Sequence, residues 1–315
     1  MIIPEKAVTA ITLNPCIDRT LTIESLSPGG HHVAANVQET VAGKGIDVNV
    51  VLRHLGIPTC AVGFDFVQNG TPVALFLEQA DIPFAGLSIP APLRVNTKIF
   101  AASERQMTEI NCKGPALEAR EADAFLSLLD TVLPNTEILV VCGSVPPGIP
   151  SELYKTVIET AKSHKIRTIL DATGTLLKKG LEACPDVIKP NIAELELLLG
   201  TRFDSRESCL AACRKLIENG VDTVCLTLGD DGALMVTKDA AWYSQGLDIP
   251  VRGVQGAGDS VVAGICAAML KTEDRQEWLR SGIAAAHGSL IREGTLLCEK
   301  RAYEEFLLRI PVQSL

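Results

Sequence analysis

The sequence predicts an α/β fold. Short β-rich runs alternate with longer helical patterns, two hairpin-like stretches interrupt the alternation, and the last quarter of the chain reads as mostly helical. The first strand is the run at 8–13, followed by a hairpin-like segment at 16–41 and a helical pattern at 45–55. A strand at 59–64 and a helix at 72–79 complete the next unit, before a second extended segment at 94–111. The alternation resumes with a helix at 117–132, a strand at 137–142, a helix at 151–163 and strands at 167–170 and 187–189. Helices at 192–199 and 205–218 lead to strands at 223–227 and 233–237, and beyond Thr237 helices are expected at 257–270, 276–291 and 300–308. Strands joined by such crossover helices run parallel. The two extended segments lack helices of their own, so they are expected to project from the main sheet as a lid. No linker, repeat or low-complexity tract divides the chain, which predicts one domain over 1–315 with lid segments at about 16–41 and 94–111.

Composition narrows the function. Of 315 residues, 47% are hydrophobic, enough to build a large core and to exclude intrinsic disorder. A formal net charge of −9 without a local basic patch argues against nucleic acid and anionic membranes as partners. The longest apolar runs, such as 261–270, fall short of the roughly 20 residues that span a bilayer. No basic segment leads into an apolar stretch at the N-terminus, so no signal peptide is expected. The ten cysteines lack a CxxC pair or zinc-finger histidines and read as small buried hydrophobes in a reducing cytoplasm. Cys209 and Cys213, four apart on a predicted helix, are read as core rather than as a metal clip.

The sharpest local signal is Gly256-Ala257-Gly258-Asp259-Ser260, followed at once by an apolar helix. Two glycines let the backbone turn close to a ligand, and the free N–H groups of the first helical turn, aided by the helix dipole, suit a phosphoryl group. Asp259 in that turn reads either as a helix cap or as a general base. Two commoner phosphate motifs are excluded by spacing. Ala42-Gly43-Lys44-Gly45 lacks the Ser or Thr after Lys that a Walker A loop needs, and Val261 stands where GxGxxG requires its third glycine. In Lys189-Pro190-Asn191-Ile192-Ala193-Glu194, Asn191 and Glu194 read either as a capping box or as oxygen groups that hold Mg²⁺ through water beside nucleotide phosphates.

Taken in order, several motifs make the chain resemble the ribokinase-like sugar kinases of the phosphofructokinase-B family, in the branch containing 1-phosphofructokinase and tagatose-6-phosphate kinase. They are Ile11-Thr12-Leu13-Asn14-Pro15 through Asp18, Ala42-Gly43-Lys44-Gly45-Ile46, Arg94-Val95-Asn96-Thr97-Lys98, Gly143-Ser144-Val145-Pro146-Pro147-Gly148, Lys189-Pro190-Asn191, Thr227-Leu228-Gly229 and Gly256-Ala257-Gly258-Asp259. The resemblance runs nearly end to end. It implies a three-layer α/β/α fold whose small β-sheet lid closes over a sugar and supplies a homodimer interface.

The resemblance also implies roles. Asp259 would take the proton of the acceptor hydroxyl, while Gly256, Ala257 and Gly258 stabilise the transferring phosphoryl group. Asn191 and Glu194 would organise Mg²⁺ through water, and Lys189, Thr227, Gly229 and Gly232 would line the site of ATP. On the sugar side, Asp18, Gly43, Asp47 and Asn96 would contact the substrate, Lys44 and Arg94 would grip its phosphate, and Lys98 either joins them or edges the lid. The implied reaction is ATP-dependent phosphorylation of a ketohexose monophosphate, foremost fructose 1-phosphate. Tagatose 6-phosphate or fructose 6-phosphate comes next, then an unphosphorylated sugar or a nucleoside, with an inactive sugar-phosphate-binding regulator as the rival outside enzymes. The sequence departs from the family pattern at Asp47, where Asn is usual, at His31 and His32 in the lid, and at Gln255. Asp47 is read as an acceptor-only, charged group that bears on the choice of sugar.

Overall fold

The computed structural model describes residues 3–315. The chain opens with β1 (Ala7–Thr12), then β2 (Cys16–Ile23) and β3 (Asn36–Ala42), and continues through α1 (Lys44–His54), β4 (Thr59–Phe66), α2 (Thr71–Gln79) and β5 (Phe84–Ile89). Next come β6 (Arg94–Ala101), β7 (Gln106–Ile110), α3 (Ala119–Val132), β8 (Thr136–Cys142), α4 (Leu153–Ser163), β9 (Arg167–Asp171) and α5 (Gly174–Leu181). β10 (Val187–Ile188), α6 (Ile192–Leu199), α7 (Arg206–Glu218), β11 (Thr223–Thr227), β12 (Ala233–Val236) and β13 (Ala241–Ser244) follow. The chain closes with α8 (Ala257–Met269), α9 (Arg275–Leu290), α10 (Lys300–Leu307) and β14 (Gln313–Ser314).

Ten strands form one sheet in the order β14-β13-β12-β11-β10-β9-β8-β1-β4-β5. From β11 to β5 every pairing is parallel, and from β11 to β14 every pairing is antiparallel. Helices cover the sheet in a three-layer α/β/α arrangement, so the inner strands are buried on both faces and read as continuous apolar runs: all six residues of β1 are buried. From β1 the chain builds outward to β4 and β5, then returns to the other side of β1 to lay down β8 and its successors. The strand order therefore reverses between β1 and β8, and in open parallel sheets ligands bind at the carboxyl ends of the strands beside such a reversal.

The two extended segments pair with each other as a separate sheet, β3-β2-β6-β7, as expected of a lid. β2 and β6 run parallel with Asp18 beside Asn96, which joins the two insertions in register. β7 is exposed at all five positions. Among the described residues no helix is long and apolar enough to cross a membrane. All ten cysteines are free thiols, and Cys209 and Cys213 are buried in the core.

The sequence reading misses four elements. β5 carries Gly86 between weakly alternating neighbours, and α5 has glycine at its first position and again near its end. After Thr237 the chain is largely helical, and β13 and β14, which were not expected, extend the antiparallel edge. Both are too short to show a period, and β14 is a strand only through its pairing with Trp242 and Tyr243.

On α3, Phe125 is fully buried and packs edge-to-face on Phe64 of β4 at 5.9 Å between ring centroids. Phe125→Ala is expected to lower unfolding free energy by about 3–5 kcal/mol, measured by urea denaturation, because the cavity lies where sheet and helix cannot close up.

Candidate active site

The β1–β8 reversal opens a pocket of about 230 Å³ lined by the ends of both strands, including Thr12, Asn14, Cys142, Gly143 and Ser144, together with Gly43, Lys44 and Arg94. Among the described residues three buried side-chain oxygens lack a hydrogen-bond partner, namely Thr12 Oγ1, Asn14 Oδ1 and Asp171 Oδ2. All three belong to this carboxyl edge of the sheet. Buried polar atoms are rarely left unpaired; Thr12 and Asn14 line the pocket and Asp171 adjoins lining Ala172, so the unpaired oxygens suit a polar ligand there.

One wall is built on charge. Asp171 ends β9 fully buried, with Oδ1 held by Lys44 Nζ at 2.9 Å and by Lys189 Nζ at 3.4 Å. Burial alone would raise the Asp171 carboxyl, but Lys189 and Lys44 hold it below the ordinary carboxylate range. Burial would likewise lower the Lys44 ammonium, yet Asp171, Asp259 and Glu194 together push it up, so it stays charged. Lys189 lies under the start of α8: a Cβ added at Gly258 would sit 3.6 Å from its ammonium.

That helix start is a turn only glycine fills easily. Gly256 adopts φ 70°, and a Cβ there would lie 2.4 Å from Leu297 Cδ2. The N–H groups of Gly258 and Asp259 in the following first turn have no intrahelical partners, a feature that suits a helix start to an anion. Asp259, the third helical residue, makes no side-chain cap. It is buried instead, and burial, moderated by Lys44 and Lys189 and reinforced by Asp171, lifts its carboxyl from 3.8 to about 6. A buried carboxyl that is ionised at neutral pH but less acidic than usual has the properties of a general base.

Asp47, in the first turn of α1, makes no ion pair with Lys44, which is held by Asp171. Its Oδ2 lies 3.8 Å from where a Cβ on Gly256 would stand, and desolvation first, with the Asp259 charge second, pushes its carboxyl above the ordinary range.

The lid brings a second ion pair. Lys98 Nζ lies 2.7 Å from Asp18 Oδ2, and Asn96 Nδ2 donates to Asp18 Oδ1 at 2.9 Å. Asp18, Asn96 and Lys98 are all buried, with Lys98 turned onto Asp18. Burial raises the Asp18 carboxyl, but Lys98 and Asn96 outweigh it and hold the group low. Arg94 reaches the pocket from the same strand, but much of its guanidinium is engaged by carbonyls. Nη2 donates to Asn14 O at 2.8 Å and Nη1 to Cys112 O at 2.9 Å. His31 and His32 lie apart on the exposed β2–β3 loop, where His32 contacts Ser27.

At the other end, Asn191 and Glu194 form the capping box of α6. Asn191 Oδ1 accepts from Glu194 N at 2.8 Å and Glu194 Oε2 from Asn191 N at 2.9 Å. Among the described residues no cluster of three His, Cys, Asp or Glu is placed to ligate a metal directly. Glu194 Oε1 lies outside the box, and a single carboxylate oxygen suits a hydrated hard cation shared with phosphates. Thr227 ends β11 against Pro190, and Gly229 is open, with nothing within 4 Å of an added Cβ. Gly232 is set by its own turn, at φ 84°, where a Cβ would strike Ser244 O at 2.0 Å.

Sequence reasoning gave Asp171 no role because the predicted strand stops at Leu170. An acid directly after the apolar Ile169-Leu170 of a strand was the signal. Asn14 and Ser144, joined by a 3.0 Å hydrogen bond, lay inside quoted motifs without a role.

A buried carboxyl raised to about 6 at a glycine-bounded helix start, beside the reversal of a parallel sheet and a second small sheet, suits phosphoryl transfer to a small hydroxylated substrate. The chain belongs to the pfkB family of carbohydrate kinases, whose family model matches residues 7–301. It is an ATP-dependent sugar kinase. It is 30% identical over 300 residues to the 1-phosphofructokinase of Bacillus subtilis (strain 168), covering 95% of this chain and 96% of that protein. It is also 30% identical to the 1-phosphofructokinase of Borreliella burgdorferi, covering 97% and 98% of the two chains. Among solved structures, the phosphofructokinase-2 of Escherichia coli in complex with potassium superposes with TM-score 0.89 at 24% identity, covering 96% and 98%.

Asp171→Asn leaves two lysines, one of them buried, without their counter-charge. It is expected to cost about 3–5 kcal/mol by urea denaturation at pH 7. Because the folded carboxyl is held low, the wild-type advantage is present above the unfolded pKa of about 3.9 and is lost as pH falls through the lower folded value.

Proposed function

We propose that the chain transfers the γ-phosphoryl group of ATP to a free hydroxyl of a ketohexose monophosphate, converting fructose 1-phosphate to fructose 1,6-bisphosphate. The observation that carries this reading is the cationic pocket of Lys44 and Arg94 at the β1–β8 reversal, close to Asp259. In a chain of net charge −9, such a pocket serves an acceptor that already bears phosphate. The name 1-phosphofructokinase borne by the bacterial relatives supports the same acceptor.

In this reading Asp18, Asn96 and the backbone at Gly43 hold sugar hydroxyls. Asp259 takes the proton of the acceptor hydroxyl as its oxygen bonds to the γ-phosphorus, and the bond to the bridging oxygen of ADP breaks. The first-turn N–H groups of Gly256, Ala257 and Gly258, with Lys189 behind them, meet the charge on the transferring group. Thr227 and Gly229 border the nucleotide, while Gly232 shapes the turn that carries them. Glu194, with Asn191 fixing its position, would hold Mg²⁺ through water, and that ion supplies charge neutralisation between the β- and γ-phosphates. We take the chain as one kinase domain with a lid, working in the cytoplasm. Exposed Val37, Met107 and Ile110 on the lid support pairing as a homodimer.

ADP release measured against a panel of sugars tests the reading. Fructose 1-phosphate is expected to give the highest kcat/KM, at least about tenfold above fructose, because a charge-assisted contact is lost with the neutral sugar. A preference for fructose 6-phosphate or tagatose 6-phosphate reassigns the acceptor within the class, and no ADP release with any sugar makes the protein a binding module. Asp259→Asn is expected to cut kcat by about 10²–10⁴ with nucleotide affinity retained; turnover above about a tenth of wild type removes it as the base. Arg94→Ala is expected to raise KM for the phosphosugar well beyond KM for ATP, and equal rises would take Arg94 out of the site.

A further inference from the structure

The glycine at the head of α8 does not hold its own conformation. Gly256 sits at φ 70° and ψ 0°, and glycine populates positive and negative φ about equally. The turn that presents the N–H groups of Gly258 and Asp259 must therefore be fixed by its surroundings. Two contacts come from the segment after α9. Leu297 packs so closely that a Cβ on Gly256 would lie 2.4 Å from its Cδ2, and Cys298 N reaches the same turn through two side chains.

Those side chains are Ser289, in the last turn of α9, and Ser260, in the first turn of α8, both buried where the two helices pack. Cys298 N donates to Ser289 Oγ at 2.8 Å, Ser289 Oγ lies 2.7 Å from Ser260 Oγ, and Ser260 Oγ donates to Gly256 O at 2.7 Å. The direction of every link is forced. An amide N–H can only donate, a carbonyl can only accept, and each hydroxyl has one proton. Ser260 gives its proton to Gly256 O, so the proton between the two serines comes from Ser289. Among the described residues the Ser289 hydroxyl has no other acceptor, and the chain runs one way from Cys298 N to the carbonyl.

We propose that Ser289, acting through Ser260, is a positioning residue for phosphoryl transfer. The relay draws the Gly256 carbonyl into the protein and so keeps the free N–H groups of the turn facing the transferring group. The inference rests on the reading of this turn as the phosphoryl site and names what holds it. Gly256 O also accepts from Ser260 N at 2.8 Å, so backbone and side chain grip the same oxygen. Because a peptide group is planar, fixing that oxygen also fixes the opposite edge of the group, at Ala257 N.

A second buried serine supplies the comparison. Ser281, about two turns earlier on α9, donates to Gly264 O of α8 and shares a hydrogen bond of 2.7 Å with the Tyr303 hydroxyl. It joins the same two helices in the same way, but at a carbonyl well beyond the glycine turn. A serine that serves helix packing alone acts as Ser281 does.

The test compares kcat, KM and melting temperature among Ser289→Ala, Ser260→Ala, the double variant and Ser281→Ala, using ATP and the sugar that gives the highest kcat/KM. Ser289→Ala and Ser260→Ala are each expected to lower kcat by about five- to twentyfold, the effect of one buried hydrogen bond on a rate, with KM for both substrates within about twofold. Since Ser289 acts through Ser260, the double variant is expected to lose no more than the worse single variant, whereas independent effects would multiply. Ser281→Ala is expected to lower the melting temperature as much as Ser289→Ala does while kcat stays within about twofold of wild type. An unchanged kcat in Ser289→Ala, a multiplied loss in the double variant, or an equal kcat loss in Ser281→Ala overturns the proposal. Hydrogen exchange gives a readout that needs no turnover. The Ser260 amide, which donates to Gly256 O, is expected to exchange at least about fivefold faster in Ser289→Ala and at the wild-type rate in Ser281→Ala. If its exchange is unchanged in Ser289→Ala, the turn is held by other contacts and the inference fails even for an active kinase. If its exchange rises but no sugar is phosphorylated, the function assigned to the site fails while the relay stands.

Discussion

Asp171 and its two lysines tie the end of a strand to the start of one helix and to the loop before another. The carboxyl stands at the end of β9, Lys44 begins α1, and Lys189 follows β10 and reaches beneath α8. Ion pairs removed from water are poor devices for stability, since desolvation offsets most of the attraction. What this one supplies is position. It holds two ammonium groups on the side of the site where the phosphoryl group must arrive, in a geometry that no single element could impose.

The same pair of lysines sets the strength of the base. Burial drives the Asp259 carboxyl upward, Asp171 adds repulsion, and Lys44 and Lys189 pull it back, leaving it at about 6. Burial and the two lysines thus act on the one carboxyl in opposite directions. On the lid, the Lys98–Asp18 pair works the other way. There the lysine keeps a buried carboxylate ionised and acceptor-only, which is the property a contact to sugar hydroxyls needs.

Much of this was legible before any coordinates. Short β-rich runs alternating with longer helical patterns pointed to parallel strands joined by crossover helices, and the glycine-bounded turn at 256–258 pointed to an anion site. The gap in the alternation at 16–41 and 94–111 foretold the lid. What escaped the sequence depends on pairing between distant residues. Nothing local shows that Asp171 is paired with two lysines, or that β14 is more than a tail. Asp47 was read against Lys44, its neighbour three residues away, whereas Lys44 is held by Asp171, 127 positions on. Lys98 was placed on the correct strand face, but only the register of β2 with β6 puts it on Asp18.

The reversal of strand order between β1 and β8 has a consequence for synthesis. The two walls of the substrate pocket are separated by more than a hundred residues: Lys44 finds Asp171, and Thr9 of β1 finds Thr136 of β8, each across 127 positions. β1 lies in the interior of the finished sheet, yet on the ribosome it can pair on one side only, with β4. At about 5–20 residues per second its other edge stays open for roughly ten seconds before β8 emerges. Until then the nascent chain carries an apolar, unpaired edge and half a binding pocket, the kind of surface that invites wrong partners. A fold that places its ligand between strands laid down far apart in time is therefore exposed to aggregation during translation and has no function until nearly the whole chain is made.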